Sequence, residues 1–219
     1  MQIFALDTTA LTETRLKSKL EASNLEAIVK KITGLIRDTR LELGAAFYMT
    51  PNIWNELRRF LIGNGVSMDA VNELSAWITV KAPDKLTVKL PASVFSEYIS
   101  DMRKRIYKGL RIAEDIVAKT CKECGDSWDS DYYTVTIRSL RDRYREALRK
   151  GIIDSPEDFD TVILALELKG AVVTSDAGIR NMCEHLGIMV IDPEQFVDAL
   201  SRMLRRARTL RNGKNDIKT

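Results

Sequence analysis

"DSPEDFDTVILALELKGAVVTSDAG" (residues 154–178) sets four aspartates and two glutamates around two apolar runs. The first run, "DTVILALELKG", has helix length and ends at Gly170, a natural C-cap; the second, "AVVTSD", is of strand length and closes on Asp176. "AGIRNMCEHLG" follows as a helix and "IMVIDPEQF" as another strand. Alternation of this kind implies an α/β fold, a parallel sheet flanked by helices. Carboxylates are almost never fully buried without a partner. Asp158, Asp160 and Asp176, set beside segments destined for the core, therefore either face water or hold a cation.

The N-terminal part repeats the pattern. "QIFALD" is a short strand ending at Asp7, and residues 8–36 turn to helical periodicity. "LELGAAFYMT" reads as a second strand region. Thr50-Pro51 then opens the helix "PNIWNELRRFLIGNG", because proline suits a first helical turn. Its buried stripe is Ile53, Leu57, Phe60 and Leu61, which leaves Glu56 near the border. Ligands of such sheets gather at the carboxyl ends of the strands. Asp7 and Asp176 each close a strand, and Asp160 begins a helix, where its charge favours the N-terminal dipole. Singly, Asp158 and Asp160 read as helix caps, and Asp7 and Asp176 as turn formers. Together they repel one another unless protons or a metal neutralise them, which points to a divalent-cation site.

Between these parts, Phe95, Ile99, Met102, Ile106, Leu110, Ala113 and Val117 recur at steps of three or four, as do Tyr133, Ile137, Leu140, Tyr144 and Leu148. An antiparallel helical hairpin follows, with "CKECGDSWDS" as its turn and these stripes as its contact. Its outer faces carry "RKRIYKGLR" and "RSLRDRYREALRK", either phosphate-binding surfaces or solvated faces balanced by Asp101, Glu114, Asp115, Asp142 and Glu146. A thin hairpin buries little alone, so the apolar stripe also suits self-association. Residues 201–219 hold seven basic residues against one acidic, a local excess of 7 − 1 = +6 in a chain whose net charge is +3. That tail is either a frayed helix end or a polyanion contact.

Other classes fall away. With 45% hydrophobic residues the 219-residue chain can bury a real core. No run approaches the roughly 20 apolar residues of a membrane span, and no basic segment leads an apolar one at the start, so a cytoplasmic protein is expected. Three cysteines do not make a disulfide framework. Cys121 and Cys124 have Cys-x-x-Cys spacing, and Cys183 and His185 lie nearby in type, but a lone pair lacks the second half of a zinc pattern. Phosphate-loop and dinucleotide glycine motifs are absent, and no serine has a credible histidine base.

"FALDTTAL", "NIWNELRRFL" and "DFDTVILALELKGAVVTSDAGIR" resemble, in order, the acidic motifs of PIN-domain nucleases, over residues 1–80 and 152–200. More closely, the chain resembles the minimal prokaryotic protein-only RNase P family, once described as RNA ligase partner proteins. The resemblance implies a PIN-like nuclease domain over 1–90 and 151–219 with a two-helix spike inserted over 91–150. It also implies removal of the 5′ leader from precursor tRNA, and dimers that assemble further. Asp7, Asp160 and Asp176 are assigned as ligands of Mg²⁺ or Mn²⁺, with Asp154 and Asp158 in the same acidic loop serving a second ion or its water. Two such ions roughly 4 Å apart activate water and stabilise a leaving oxygen without histidine. Glu56 matches the family's mid-chain acid, and Thr9 and Ser175 are candidate hydrogen bonders to the aspartates. Arg103, Lys104, Arg105, Arg143 and Arg145, with Arg205, Arg206 and Arg208, are the candidate RNA contacts. The alternatives are a toxin-type PIN ribonuclease, usually shorter and without the hairpin, and a noncatalytic RNA-binding partner of an RNA-processing enzyme.

Overall fold

The computed structural model describes residues 2–123, 130–149, 153 and 155–215. In chain order they form β1 (Ile3–Leu6), α1 (Thr9–Thr12), α2 (Leu16–Lys19), α3 (Leu25–Leu43), β2 (Ala46–Met49), α4 (Pro51–Gly63), α5 (Met68–Trp77) and β3 (Thr79–Val80). There follow α6 (Ala92–Glu123), α7 (Ser130–Arg149), α8 (Pro156–Leu168), β4 (Ala171–Val173), α9 (Ala177–His185), β5 (Val190–Ile191) and α10 (Pro193–Asn215). The strands lie in the order β3-β2-β1-β4-β5 and every pairing is parallel. This is the expected α/β fold, and the order reverses at β1, where crossovers leave in both directions.

Alternation along the strands assigns the two faces of the sheet. Phe4 and Leu6 of β1, Phe47 and Met49 of β2 and Val173 of β4 point to one side, against α3, α4, α5 and α10. Phe4 stacks on Phe47 at 5.3 Å between ring centroids, and Phe196 of α10 meets both edge-on. Ala5 and Val172 point the other way, toward Val162 and Ala165 of α8 and Ile179, Met182 and Cys183 of α9. Both faces are covered, as parallel sheets require, and fully burying a side chain such as Phe196 contributes about 1.5–3 kcal/mol.

Several sequence expectations need correction. Leu41–Leu43 do not belong to a strand: they complete α3, which Gly44 ends at φ 67° before β2 begins at Ala46. Helix-forming Leu-Glu-Leu and the left-handed glycine outweigh the apolar run. Thr50 caps α4 and Pro51 opens it as expected, but the inward line is Ile53, Leu57 and Leu61; Phe60 stands to one side of it and is exposed. At the end of α8 the left-handed residue is Lys169, at φ 51°. Gly170 is needed for another reason, since a Cβ there would lie 2.9 Å from the Ile3 carbonyl oxygen of β1.

Helices α6 and α7 pack on each other between β3 and α8 in the chain. Their contact is Ile112 and Ile116 with Leu140 and Ala147, so Leu140 of the expected α7 stripe takes part, while on α6 the contact is not the expected stripe. Gly109 faces the contact: a Cβ there would stand 2.7 Å from Cε2 of Tyr144, so the bare backbone lets that ring pack close. The expected α6 stripe lies one residue round the helix and faces outward, with Phe95, Ile99, Ile106, Leu110 and Val117 exposed. The base of α6 differs, because Val94 is buried with Ile153 and Met182 against the second face of the sheet. Among the described residues no helix is long and apolar enough to cross a membrane.

Candidate active site at the carboxyl edge of the sheet

Asp7 follows β1 at the switch point and is 4% exposed. Its backbone N–H donates to the Val173 carbonyl, which extends the β1–β4 ladder by one bond and fixes the residue's position. Three donors converge on its Oδ2: the Thr174 hydroxyl at 2.9 Å, the Thr9 hydroxyl at 2.8 Å and the Thr9 N–H at 3.4 Å. Thr174 Oγ1 accepts from the Asp176 N–H and Thr9 Oγ1 from the Ser175 N–H, both at 3.0 Å. Each hydroxyl has one hydrogen, and Asp7 takes both, so the 3.4 Å approach of the two threonine oxygens is not a further bond at full occupancy of the first two. Thr9 thus does what the sequence suggested. Ser175 instead gives its backbone N–H to Thr9, and its hydroxyl acts on Glu13.

Asp176 caps α9, its Oδ1 accepting from Gly178 N–H at 2.7 Å and Ile179 N–H at 2.9 Å. On α8 the cap is Ser155, which accepts from the Asp158 N–H at 3.0 Å, and neither Asp158 nor Asp160 plays that part. Asp160 lies in the next turn with its side chain 14% exposed. Lys85 Nζ stands 2.5 Å from Asp160 Oδ1, yet out of hydrogen-bond alignment, so that buried oxygen has no hydrogen-bond donor. Asp158 is half-buried in the same first turn and is engaged by a neighbour. Glu56 is exposed on α4. Asp154 lies outside the described residues.

Among the described residues no three Asp, Glu, His or Cys side chains are gathered closely enough to hold one ion together. What the chain does bring to one edge is a set of half-satisfied carboxylates. Among the described residues every hydrogen bond to the Asp7 carboxylate falls on Oδ2 and both to the Asp176 carboxylate fall on Oδ1, while Asp160 Oδ1 has none. One oxygen of each is thereby left to another partner, and an all-oxygen donor set suits a hard divalent cation such as Mg²⁺ or Mn²⁺.

Residues with no signal in the sequence complete the edge. Asp192 follows β5 and accepts from Arg15 Nη2 at 3.0 Å, with Arg180 Nη2 3.9 Å away. Arg180 also donates to the Thr174 carbonyl at 3.3 Å. Glu13 is held below the ordinary carboxylate range by its hydrogen bond with Ser175 and then by Arg15.

The basic residues divide. Arg103, Lys104, Arg143, Arg145, Arg205 and Arg206 are exposed, although Lys104 pairs with Asp101 at 3.1 Å. Lys104, Arg105, Lys108 and Arg143 line a groove between α6 and α7. Arg105 reaches toward the Ala147 and Leu148 carbonyls of α7 at 3.5 Å. Arg208 is bound within the chain, 2.6 Å from Glu42 and 3.1 Å from Asp38, so the basic helix is docked on α3 and not frayed at that point. Cys183 is buried and its thiol is pushed up to about 12 by burial, which opposes the thiolate that zinc needs. His185 Nδ1 faces Glu97 Oε2 at 3.3 Å. The side chains of Cys121 and Cys124 lie outside the described residues.

Comparison with known proteins places these features. The model of the PINc domain ribonuclease family matches residues 3–205. An RNA-free ribonuclease P of Hyperthermus butylicus is 39% identical over 218 residues, 95% of this chain and 91% of its own. Those of Staphylothermus marinus and Aeropyrum pernix are 40% and 39% identical, over 93% and 90% of this chain and 96% and 88% of their own.

Proposed function

Because the chain belongs to the PINc domain ribonucleases and, among them, to the RNA-free ribonuclease P family, we propose that it removes the 5′ leader of precursor tRNA by metal-assisted hydrolysis at the Asp7 edge. The observation that supports this site is the set of three aspartates from separate elements, each with one carboxylate oxygen that lacks a hydrogen-bond donor among the described residues. Asp7, Asp160 and Asp176 would hold the ions, with Asp158 and Asp154 from the α8 entry and Glu56 from α4 as further ligands. Bound Mg²⁺ or Mn²⁺ supplies a water acidic enough to attack at neutral pH and charge to stabilise the leaving oxygen. The two threonine hydroxyls fix Oδ2 of Asp7 and so aim Oδ1. Water adds to phosphorus, the bond to the 3′ oxygen of the last leader nucleotide breaks, and the mature end keeps a 5′-phosphate.

Substrate binding is assigned to the exposed cations of the hairpin and of α10, namely Arg103, Lys104, Arg143, Arg145, Arg205 and Arg206. Arg105 and Arg208, bonded to their own chain, contribute field more than direct contacts. Residues 91–150 act as an inserted spike on the nuclease core, and their outward apolar stripe suits a homo-oligomer, in keeping with a cytoplasmic enzyme. The test is end-labelled precursor tRNA with Mg²⁺. Asp7→Asn, Asp160→Asn and Asp176→Asn nearly keep the shape but remove charge, so leader removal falls by orders of magnitude in each while circular dichroism is unchanged. Full cleavage by these variants, or in EDTA, sinks the metal mechanism; tRNA binding without cleavage by the unaltered protein favours the noncatalytic partner.

A further inference from the structure

The connection between β3 and α6 is tied down at its start. Glu167 of α8 takes Lys81 Nζ on Oε1 at 2.5 Å and the backbone N–H of Asp84 on Oε2 at 2.9 Å. Asp84 in turn accepts from the Leu86 N–H at 3.1 Å, and the Lys85 N–H donates to the Pro83 carbonyl at 3.1 Å. One glutamate thus clamps a self-bonded turn from which Lys85 carries its ammonium to Asp160 Oδ1, two helical turns from Glu167 on the same α8. The lysine side chain is 56% exposed and the aspartate 14%, and the contact lacks hydrogen-bond alignment. A half-exposed, misaligned pair of this kind is weak in water. A divalent cation carries twice the charge and binds carboxylate oxygen directly, so it displaces the ammonium readily. The turn stays clamped, so the freed ammonium remains beside the ion, where the substrate's phosphate must come.

Resting on the reading of Asp160 as a metal ligand, we propose that Lys85 is a resident cation of the site: it occupies Asp160 before the metal binds and then contacts a non-bridging oxygen of the substrate phosphate. Lysine suits both tasks as a compact charge on a flexible stem. The contact needs no change in the reaction, for the lysine neither gives nor takes a proton.

Two measurements on the intact protein test this. Manganese binding to the RNA-free protein, followed by calorimetry, should tighten several-fold in Lys85→Met, because the competitor is gone, and stay near the parent value in Lys85→Arg. Precursor tRNA binding, measured with Ca²⁺ in place of Mg²⁺, should weaken in Lys85→Met and its logarithmic salt slope should fall by about one unit. Unchanged or weaker manganese binding in Lys85→Met overturns the proposal, and so does an unchanged salt slope. Asp160→Asn in the same titration separates the two readings. If it leaves manganese binding intact, the metal site is wrong; if it abolishes binding while Lys85→Met has no effect, only the role of Lys85 fails. Glu167→Gln, which loosens the turn, should tighten manganese binding in the same direction as Lys85→Met.

Discussion

The Thr174 hydroxyl donates to Oδ2 of Asp7 at 2.9 Å, joining residues 167 positions apart in the chain. The bond does two things at once, since the same oxygen accepts the Asp176 N–H and so couples the two strand ends that carry the site. Thr174→Val keeps the shape and removes both roles. Leader cleavage should fall about 10–100-fold, the usual cost of losing a hydrogen bond to a metal-binding carboxylate. The buried groups left unpaired should lower stability by about 1–3 kcal/mol. Thr174→Ser should retain most of the activity. Single-turnover rates and thermal melts of the pair decide the matter, and equal rates for Val and Thr would remove Thr174 from the site.

Gly109 tests the hairpin. In an ordinary helix Gly→Ala stabilises by roughly 0.5–1 kcal/mol. Here the new methyl meets the Tyr144 ring, so Gly109→Ala should destabilise by about 1–3 kcal/mol instead. Adding Tyr144→Leu should restore part of the loss. A raised melting temperature for Gly109→Ala alone would mean that the ring swings aside at little cost.

Outward apolar residues predict association. Ile106 is 56% and Leu110 52% exposed, so Ile106→Glu and Leu110→Glu should leave the protomer folded. They should reduce the mass seen by light scattering and, with it, cleavage. An unaltered mass in both variants would show that the stripe has no partner.

Glu42 carries a pH signature. The hydrogen bond from Arg208 holds its carboxyl below the ordinary value of 4.5. A lowered folded-state pKa stabilises above the unfolded value and loses that contribution as pH falls through the folded one. The melting difference between the parent and Glu42→Gln should therefore be constant from neutrality to about pH 5. It should shrink below pH 4.5, and a difference that grows on acidification would contradict the assignment.

The parts of the fold that local chemistry dictates were legible in the sequence. Short apolar runs ending in Asp7 and near Asp176 marked β1 and β4, and Thr50-Pro51 marked the start of α4. Leu41–Leu43 misled because an apolar run of that length suits either element, and only Gly44 in its left-handed conformation marks the end of a helix there. The pairing of α6 with α7 followed from periodicity, but the buried face of α6 did not. Adjacent apolar stripes compete on one helix, and the Tyr144 ring packs close where a side chain is missing, at Gly109. Asp7, Asp160 and Asp176 were visible as acids at strand and helix ends. Thr174 and Lys85 were not, because their meaning comes from neighbours supplied by remote segments and, for Lys85, from the clamp at Glu167.

The pairing of β1 with β4 also sets a timetable. β1 is made before its ladder partner and the hydroxyl that orients Asp7, which follow 167 residues later. At 5–20 residues per second that is a delay of roughly 10–30 s. Through that interval the nascent chain already displays the basic helices α6 and α7 but holds only part of the acidic edge. The acidic edge is thereby completed only once β4 and the residues after it have been made.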